Sequence, residues 1–219
     1  MCRRAPLPKI DFPALLESTV CRRLTAAPFG YVIGRARKDV HPMKQMTKKV
    51  AFLLANGFED SEMKNPYDAM TENGTEAVII GLERGASLSG KQGTITYTSH
   101  LAAHEAKASD YVAIVIPGGQ SPAILRDNKS IIDFVREADS LGIPIAAICH
   151  GPQVLAAAGL TKGKTLTGYP GIAGELTQAG ASFVDREVAE DGNLITSRKP
   201  EDEPAFIDAI IRRIGVAAY

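Results

Sequence analysis

Cys149 stands where a cysteine can act as a nucleophile. It follows the apolar run Ile143-Pro-Ile-Ala-Ala-Ile148 and precedes Pro152, a residue suited to the first turn of a helix. A side chain held between a buried strand and a helix start occupies the sharp turn of a nucleophile elbow. There the positive end of the helix and its free backbone N–H groups favour a thiolate, and thiols so placed titrate at roughly 3.5–7.5 instead of about 8.5. Gly151 lets the helix approach the strand closely. The competing reading, a small buried apolar side chain, leaves this elbow unexplained.

A nucleophilic thiol needs a base, and the histidines are His41, His100, His104 and His150. His150 adjoins the nucleophile; at a sharp turn both side chains can face one cleft, which makes it the first-choice base. His100 and His104 lie in a polar loop between Thr98 and Ser109 and read as solvated surface residues. No histidine follows residue 150, which excludes the Cys…His-x-Glu order of class I glutamine amidotransferases and the Ser…Asp…His order of α/β-hydrolases. An oxyanion has two candidate holders: the N–H of His150, next after the nucleophile, and the pair Gly118-Gly119 at the end of a neighbouring strand. The run Phe58-Glu-Asp-Ser-Glu62 offers Glu59, Asp60 and Glu62. Asp60 or Ser61 can cap a helix there. One carboxyl pressed into the crevice beside the thiol would have a raised pKa and serve as hydrogen-bond donor or proton shuttle.

The elements that must position these residues follow from the apolar runs. Val50–Ala55, Glu76–Leu82, Tyr111–Ile116 and Ile143–Ile148 are strand-length stretches with little polar alternation. Helical stretches separate them: one ending near Gly74, one over Ser130–Ala138 with apolar positions at 131, 134, 135 and 138, and one over Pro152–Ala158 closed by Gly159. A last amphipathic helix covers Pro204–Ile214. Thr94–Thr98 alternates and follows the turn Gly90-Lys-Gln-Gly93, which predicts a small antiparallel excursion. Strands buried on both faces and separated by helices imply an α/β fold with a mostly parallel sheet between helix layers, and chemistry at the strands' carboxyl ends. No GxGxxG or GxxxxGK[ST] opens a helix, so nucleotide binding has no sequence support.

The chain has 219 residues with 25 Lys+Arg against 25 Asp+Glu. That balance hides an asymmetry. Residues 1–46 hold nine basic side chains and three acids, five prolines and no sustained periodicity, and are expected to be a basic N-terminal extension and not a domain. Its apolar run from Leu24 to Gly34 is cut by Pro28 and Gly30, unlike a secretory signal. Ser18 is its only serine, unlike a transit peptide. Met46-Thr-Lys-Lys directly before the first strand makes a native start at Met46 a further reading. The acidic remainder argues against a nucleic-acid or anionic-membrane surface for the domain over 47–219. No stretch of 18 apolar residues spans a membrane. Of three cysteines, Cys2 and Cys21 lie in the extension, so structural disulfides are not expected and a reducing cytoplasm is.

Ala147-Ile-Cys-His-Gly-Pro-Gln153, together with Asn56-Gly-Phe-Glu-Asp60, Ile116-Pro-Gly-Gly119, Gly168-Tyr-Pro-Gly-Ile172 and Asp191-Gly-Asn-Leu-Ile-Thr-Ser-Arg198, resembles the PfpI family. That family groups cysteine peptidases, protein deglycases and general stress proteins within the class I glutamine amidotransferase-like superfamily. The resemblance covers about 48–215. It implies a flavodoxin-like α/β sandwich, a homodimer or larger oligomer, Cys149 as nucleophile, His150 as its partner and Glu59 as the acid contacting the thiol. It also implies oxyanion or substrate contacts at Gly118, Gly119, Gly151 and Tyr169. No metal or organic cofactor is implied. In the family's peptidase pattern, an acid shortly after Gly-Gly and next to a proline orients the histidine of a neighbouring subunit. Here Gly119-Gln-Ser-Pro122 is followed by Ala123, which argues against a peptidase triad, and Asp127 is the nearest substitute. The activity expected is therefore that of a cysteine-dependent hydrolase or lyase acting on methylglyoxal-modified protein, methylglyoxal or peptides. The alternative is a non-catalytic stress protein whose Cys149 senses peroxide or which works as a chaperone.

Overall fold

The computed structural model describes residues 47–215; the expectations for residues 1–46, including Cys2, Cys21 and His41, fall outside it. The described chain begins with β1 (Lys49–Leu53), α1 (Asp60–Glu72) and β2 (Glu76–Gly81), followed by the small strands β3 (Ser87–Ser89), β4 (Thr96–Thr98) and β5 (Leu101–Ala102). β6 (Ala113–Ile116), α2 (Ser121–Leu125), α3 (Lys129–Ser140), β7 (Ile145–Ile148) and α4 (Pro152–Ala157) form the middle. β8 (Thr165–Leu166), α5 (Ala173–Gln178), β9 (Ser182–Phe183), β10 (Val188–Asp191), β11 (Leu194–Ser197) and α6 (Glu203–Ile214) complete it.

Seven strands form one sheet in the order β10-β11-β7-β6-β1-β2-β5, parallel except for β10. Successive side chains of a strand point to opposite faces, and β1 shows it: Ala51 and Leu53 enter one core, Val50 and Phe52 the other. The first core is closed by Ile131, Phe134 and Val135 of α3 with Val154 and Leu155 of α4. The second is closed by Met63 and Met70 of α1 with Phe206 and Ile210 of α6. Helices on both faces of a mostly parallel sheet make the flavodoxin-like α/β sandwich that the sequence implies.

The strand and helix runs read from the sequence all form, and the predicted antiparallel excursion is β3 pairing with β4 across the Gly90–Gly93 turn. Gly74 and Gly159 follow the C-caps of α1 and α4 with φ of 76°. Apolar periodicity did not reveal β10 and β11. β11 is fully buried yet ends in Thr196 and Ser197, whose hydroxyls are satisfied locally. Thr196 Oγ1 accepts from the Thr167 N–H at 2.9 Å, and Ser197 Oγ donates to Glu187 O at 2.7 Å.

Candidate active site

The carboxyl ends of β1, β6 and β7 bring the sequence candidates together. After β7 the chain turns through Cys149, whose φ of 60° makes it the only non-glycine residue with positive φ among the described residues. Such a backbone costs about 1–2 kcal/mol and survives where surrounding structure enforces it. The Cys149 N–H donates to Ser197 O at 3.0 Å and its carbonyl accepts from Tyr169 N–H at 2.8 Å, so β11 and the 168–172 loop clamp the elbow from both sides. Gly151 allows the tight return: a Cβ there would lie 2.5 Å from Ile116 O and 2.9 Å from Ile148 O.

Three acids at the start of α1 do three different things. The Glu59 carboxylate faces Lys91 Nζ at 3.3 Å. Asp60 fastens the loop that carries Lys91, accepting from Gln92 N–H and Thr94 Oγ1, each at 3.1 Å. It caps nothing: the N-cap of α1 is Glu59, with no side-chain capping bond. Glu62 is the acid at the thiol. It is wholly buried, its Oε2 accepts from Gly118 N–H at 2.9 Å, and the same missing Gly118 Cβ that makes room for this carboxyl makes room for the Cys149 side chain beside it. The expectation that Glu59 contacts the thiol is thus corrected by one helical turn. The signal was present, since residues three apart share a helix face. What decides between them is Gly118: a Cβ at this position would stand 2.5 Å from Glu62 Oε2, 2.6 Å from Cys149 Cβ and 3.1 Å from its sulfur.

Burial pushes the Glu62 carboxyl up from 4.5 to about 8, against the pull of the Gly118 hydrogen bond, so it is protonated at neutral pH. Burial, then the charge Glu62 carries when ionised, pushes the thiol up to about 12. The low-pKa thiolate expected from the helix start is therefore not what the isolated elbow provides. α4 has only six residues, and Cys149 is 8% exposed, so desolvation exceeds the helix's pull. The opposing contributions to the thiol are the N–H groups of Gly119 and His150, both aimed at sulfur. The Gly118 N–H is already committed to Glu62, which leaves Gly119 and His150 as the available pair of donors.

His150 does face the thiol, with Nδ1 3.2 Å from the sulfur. Its ring stacks on Tyr169 with centroids 4.8 Å apart and planes inclined by 24°. Burial, reinforced by the Lys91 charge, lowers its pKa, so the imidazole is neutral and can accept a proton at pH 7. Sulfur thus has a protonated acid on one side and a neutral base on the other. His100 and His104 are exposed and away from the elbow, as expected; His100 Nδ1 accepts from Ile79 N–H. Ala123 and Asp127 are exposed, and among the described residues no carboxylate hydrogen-bonds His150.

These groups line a cleft of about 480 Å3 that also exposes Lys91, Gln120 and Lys199. Sequence reading missed these three. Lys91 was visible only as part of a turn, and Lys199 lies past the end of β11, just before the single helical turn Pro200–Asp202. No group of metal-ligating side chains occurs among the described residues.

A model described as the DJ-1/PfpI family matches residues 48–213. The chain belongs to the DJ-1/PfpI family. It is 38% identical over 171 residues to Protein/nucleic acid deglycase 2 of Escherichia coli, covering 78% of this chain and 99% of that one. It is 41% identical to General stress protein 18 of Bacillus subtilis, covering 74% and 94%. Among solved structures, it superposes with a TM-score of 0.76 and 40% identity on a two-domain protein of Anabaena variabilis containing DJ-1/ThiJ/PfpI-like and ferritin-like domains, over 77% of this chain and 48% of that one. The chain therefore spans about half of that two-domain protein. Within the DJ-1/PfpI family the elbow, the buried acid and the Gly-Gly turn stand on matched residues, while residues 1–46 stand outside the match.

Proposed function

We propose that this chain is a cysteine-dependent deglycase, a hydrolase that removes methylglyoxal adducts from amino groups through Cys149. The observation that carries the reading is the sulfur held between the protonated Glu62 carboxyl and the neutral His150 Nδ1, with the N–H groups of Gly119 and His150 beside it. Relatives named as deglycases support the same class. In this reading His150 takes the thiol proton as sulfur adds to the electrophilic carbon of the adduct. A proton is delivered to the departing amine, which leaves a hemithioacetal; the hydrogen on its sulfur-bearing carbon passes as a proton to the neighbouring ketone carbon through an enediolate whose charged oxygen is met by the paired N–H donors, and water hydrolyses the resulting lactoyl thioester to lactate and the free thiol. Tyr169, 44% exposed and stacked on His150, walls the cleft. A peptidase triad has less support, because Ala123 brings no acid and His150 finds none in its own chain among the described residues. A homo-oligomer belongs to the proposal on the resemblance to the family alone. The test is lactate release and amine recovery from methylglyoxal-treated peptide. Wild type is expected to turn over and Cys149→Ser is not; equal rates in both would end the proposal.

A further inference from the structure

Two lysines reach the cleft from opposite flanks of the nucleophile, and the reaction uses neither. Lys199 follows β11, which pairs with the elbow strand β7 on one side. Lys91 lies in the turn after β3, and that turn is fastened to the segment after β1: the Lys91 N–H donates to Phe58 O at 2.8 Å, and Asp60 holds Gln92 and Thr94. β1 stands beyond β6 on the other side of β7.

The two ammonium groups differ in how far they are already satisfied. Lys91 Nζ is 3.3 Å from the carboxylate of Glu59, which lines the same cleft. Lys199 follows Arg198, whose guanidinium is committed to Asp202 at 2.8 and 3.0 Å and to Asp185 at 2.6 Å. The backbone at Lys199 is extended, with φ −166° and ψ 168°, so its side chain leaves on the side opposite to Arg198 and lines the cleft. Among the described residues its ion-pair contact is Glu201, 3.9 Å away, with a side chain 72% exposed and outside the cleft. A contact so long and so open to water is nearly worthless. Around the sulfur, the thiol, Glu62 and His150 are uncharged at neutral pH. The cleft therefore holds one ammonium charge in excess, in a chain whose residues after 46 carry 16 basic against 22 acidic side chains.

An excess of one charge suits a ligand of one charge. A carboxylate matches it, whereas a phosphate, with about 1.5–2 negative charges at neutral pH, would leave part of its charge unmet. We propose that Lys199 is a specificity-determining residue whose ammonium receives a carboxylate carried by the substrate, so that the preferred substrate is the adduct of a small amine bearing a free carboxylate, such as an amino acid. The substrate class rests on the deglycase reading; the anion subsite beside the sulfur does not.

The experiment compares two alkylating agents that differ by one charge, iodoacetate and iodoacetamide, at Cys149 in the full chain carrying Cys2→Ser and Cys21→Ser. The ratio of their rates cancels changes in thiol ionisation and in folded fraction. Lys199→Met is expected to lower the iodoacetate-to-iodoacetamide ratio by about three- to tenfold, and Lys199→Arg, which keeps the charge, to stay within about twofold of the parent. Lys49→Met, which removes the same charge at the amino end of the sheet, is expected to leave the ratio unchanged. A ratio unmoved by Lys199→Met overturns the proposal, as does an equal fall in Lys49→Met, which would trace the effect to the net charge of the domain. Turnover is read separately, on the methylglyoxal adduct of Nα-acetylarginine against that of its amide. Wild type is expected to favour the acid by about three- to tenfold at limiting substrate, and Lys199→Met to erase that preference. Equal rates for the two in wild type overturn the substrate class. No turnover of either ends the deglycase reading, while the alkylation ratio still decides the subsite.

Discussion

Two clefts open at opposite ends of the same sheet, of about 480 Å3 at the carboxyl ends of the strands and about 390 Å3 at their amino ends. Both mix aromatic and ionisable side chains. At the amino end, Lys49 and Glu76 pair at 3.4 Å with side chains 44% and 50% exposed, and His100 spends its Nδ1 on a backbone N–H. Burial pushes the Tyr111 hydroxyl there up to about 12, and its ring packs edge-on against Phe134. At the carboxyl end, a cysteine sits at positive φ, an acid is buried without a cation, and a glycine leaves space that the Glu62 and Cys149 side chains fill. Cavity size does not separate the two clefts. What separates them is local free-energy cost, retained where a strained backbone and a desolvated acid serve chemistry.

Substitutions at the two ends should break this contrast if it is wrong. The largest effect is expected for Cys149→Ser, with turnover of a methylglyoxal adduct falling at least about 1,000-fold because the alcohol is scarcely ionised at neutral pH. Lys49→Met at the other cleft should leave turnover unchanged in the same assay. Next comes Gly118→Ala, whose Cβ collides with both Glu62 and Cys149; it should cost about 1–3 kcal/mol in urea unfolding and abolish activity. Gly142→Ala, at a turn with nothing within 4 Å, should cost only the strain of its φ of 68°, about 1 kcal/mol, with full activity.

Glu62→Gln sharpens the comparison through pH. The carboxyl titrates near 4.5 when unfolded and at about 8 when folded, so the folded state holds the extra proton and stability falls as pH rises between those values. The glutamine variant should lose that slope and gain stability relative to wild type more at pH 8 than at pH 5, read as melting temperature across the range. Glu59→Gln, which loosens a half-exposed pair with Lys91 and removes a charge contribution to Glu62 that is smaller than burial, should change stability by less than about 1 kcal/mol and leave most of the slope in place. If the slope vanished in Glu59→Gln and persisted in Glu62→Gln, the assignment of the buried acid would be reversed.

The chain's order of apolar runs, its helix-closing glycines and the Ile148-Cys149-His150-Gly151-Pro152 turn determined the central parallel strands, both helix layers and the elbow that carries Cys149, because burial periodicity and turn chemistry are local. The register of the elbow was legible for the same reason: Gly151 has room for no side chain beneath Ile116 O. Which acid meets the thiol was not. Glu59 caps the helix that Glu62 sits on three residues later, and the choice is made by Gly118 in the turn after β6, 56 residues from Glu62, whose N–H and missing Cβ receive only the second of them. Nor could the sequence tell that Cys149 is desolvated enough to outweigh a six-residue helix, that Asp60 ties the Lys91 loop to the cleft, or that Asn65 of α1 hydrogen-bonds Glu203 of α6. Those are distances between segments remote in sequence, and charge, solvent exclusion and hydrogen bonding act through distance, so only the tertiary structure decided them.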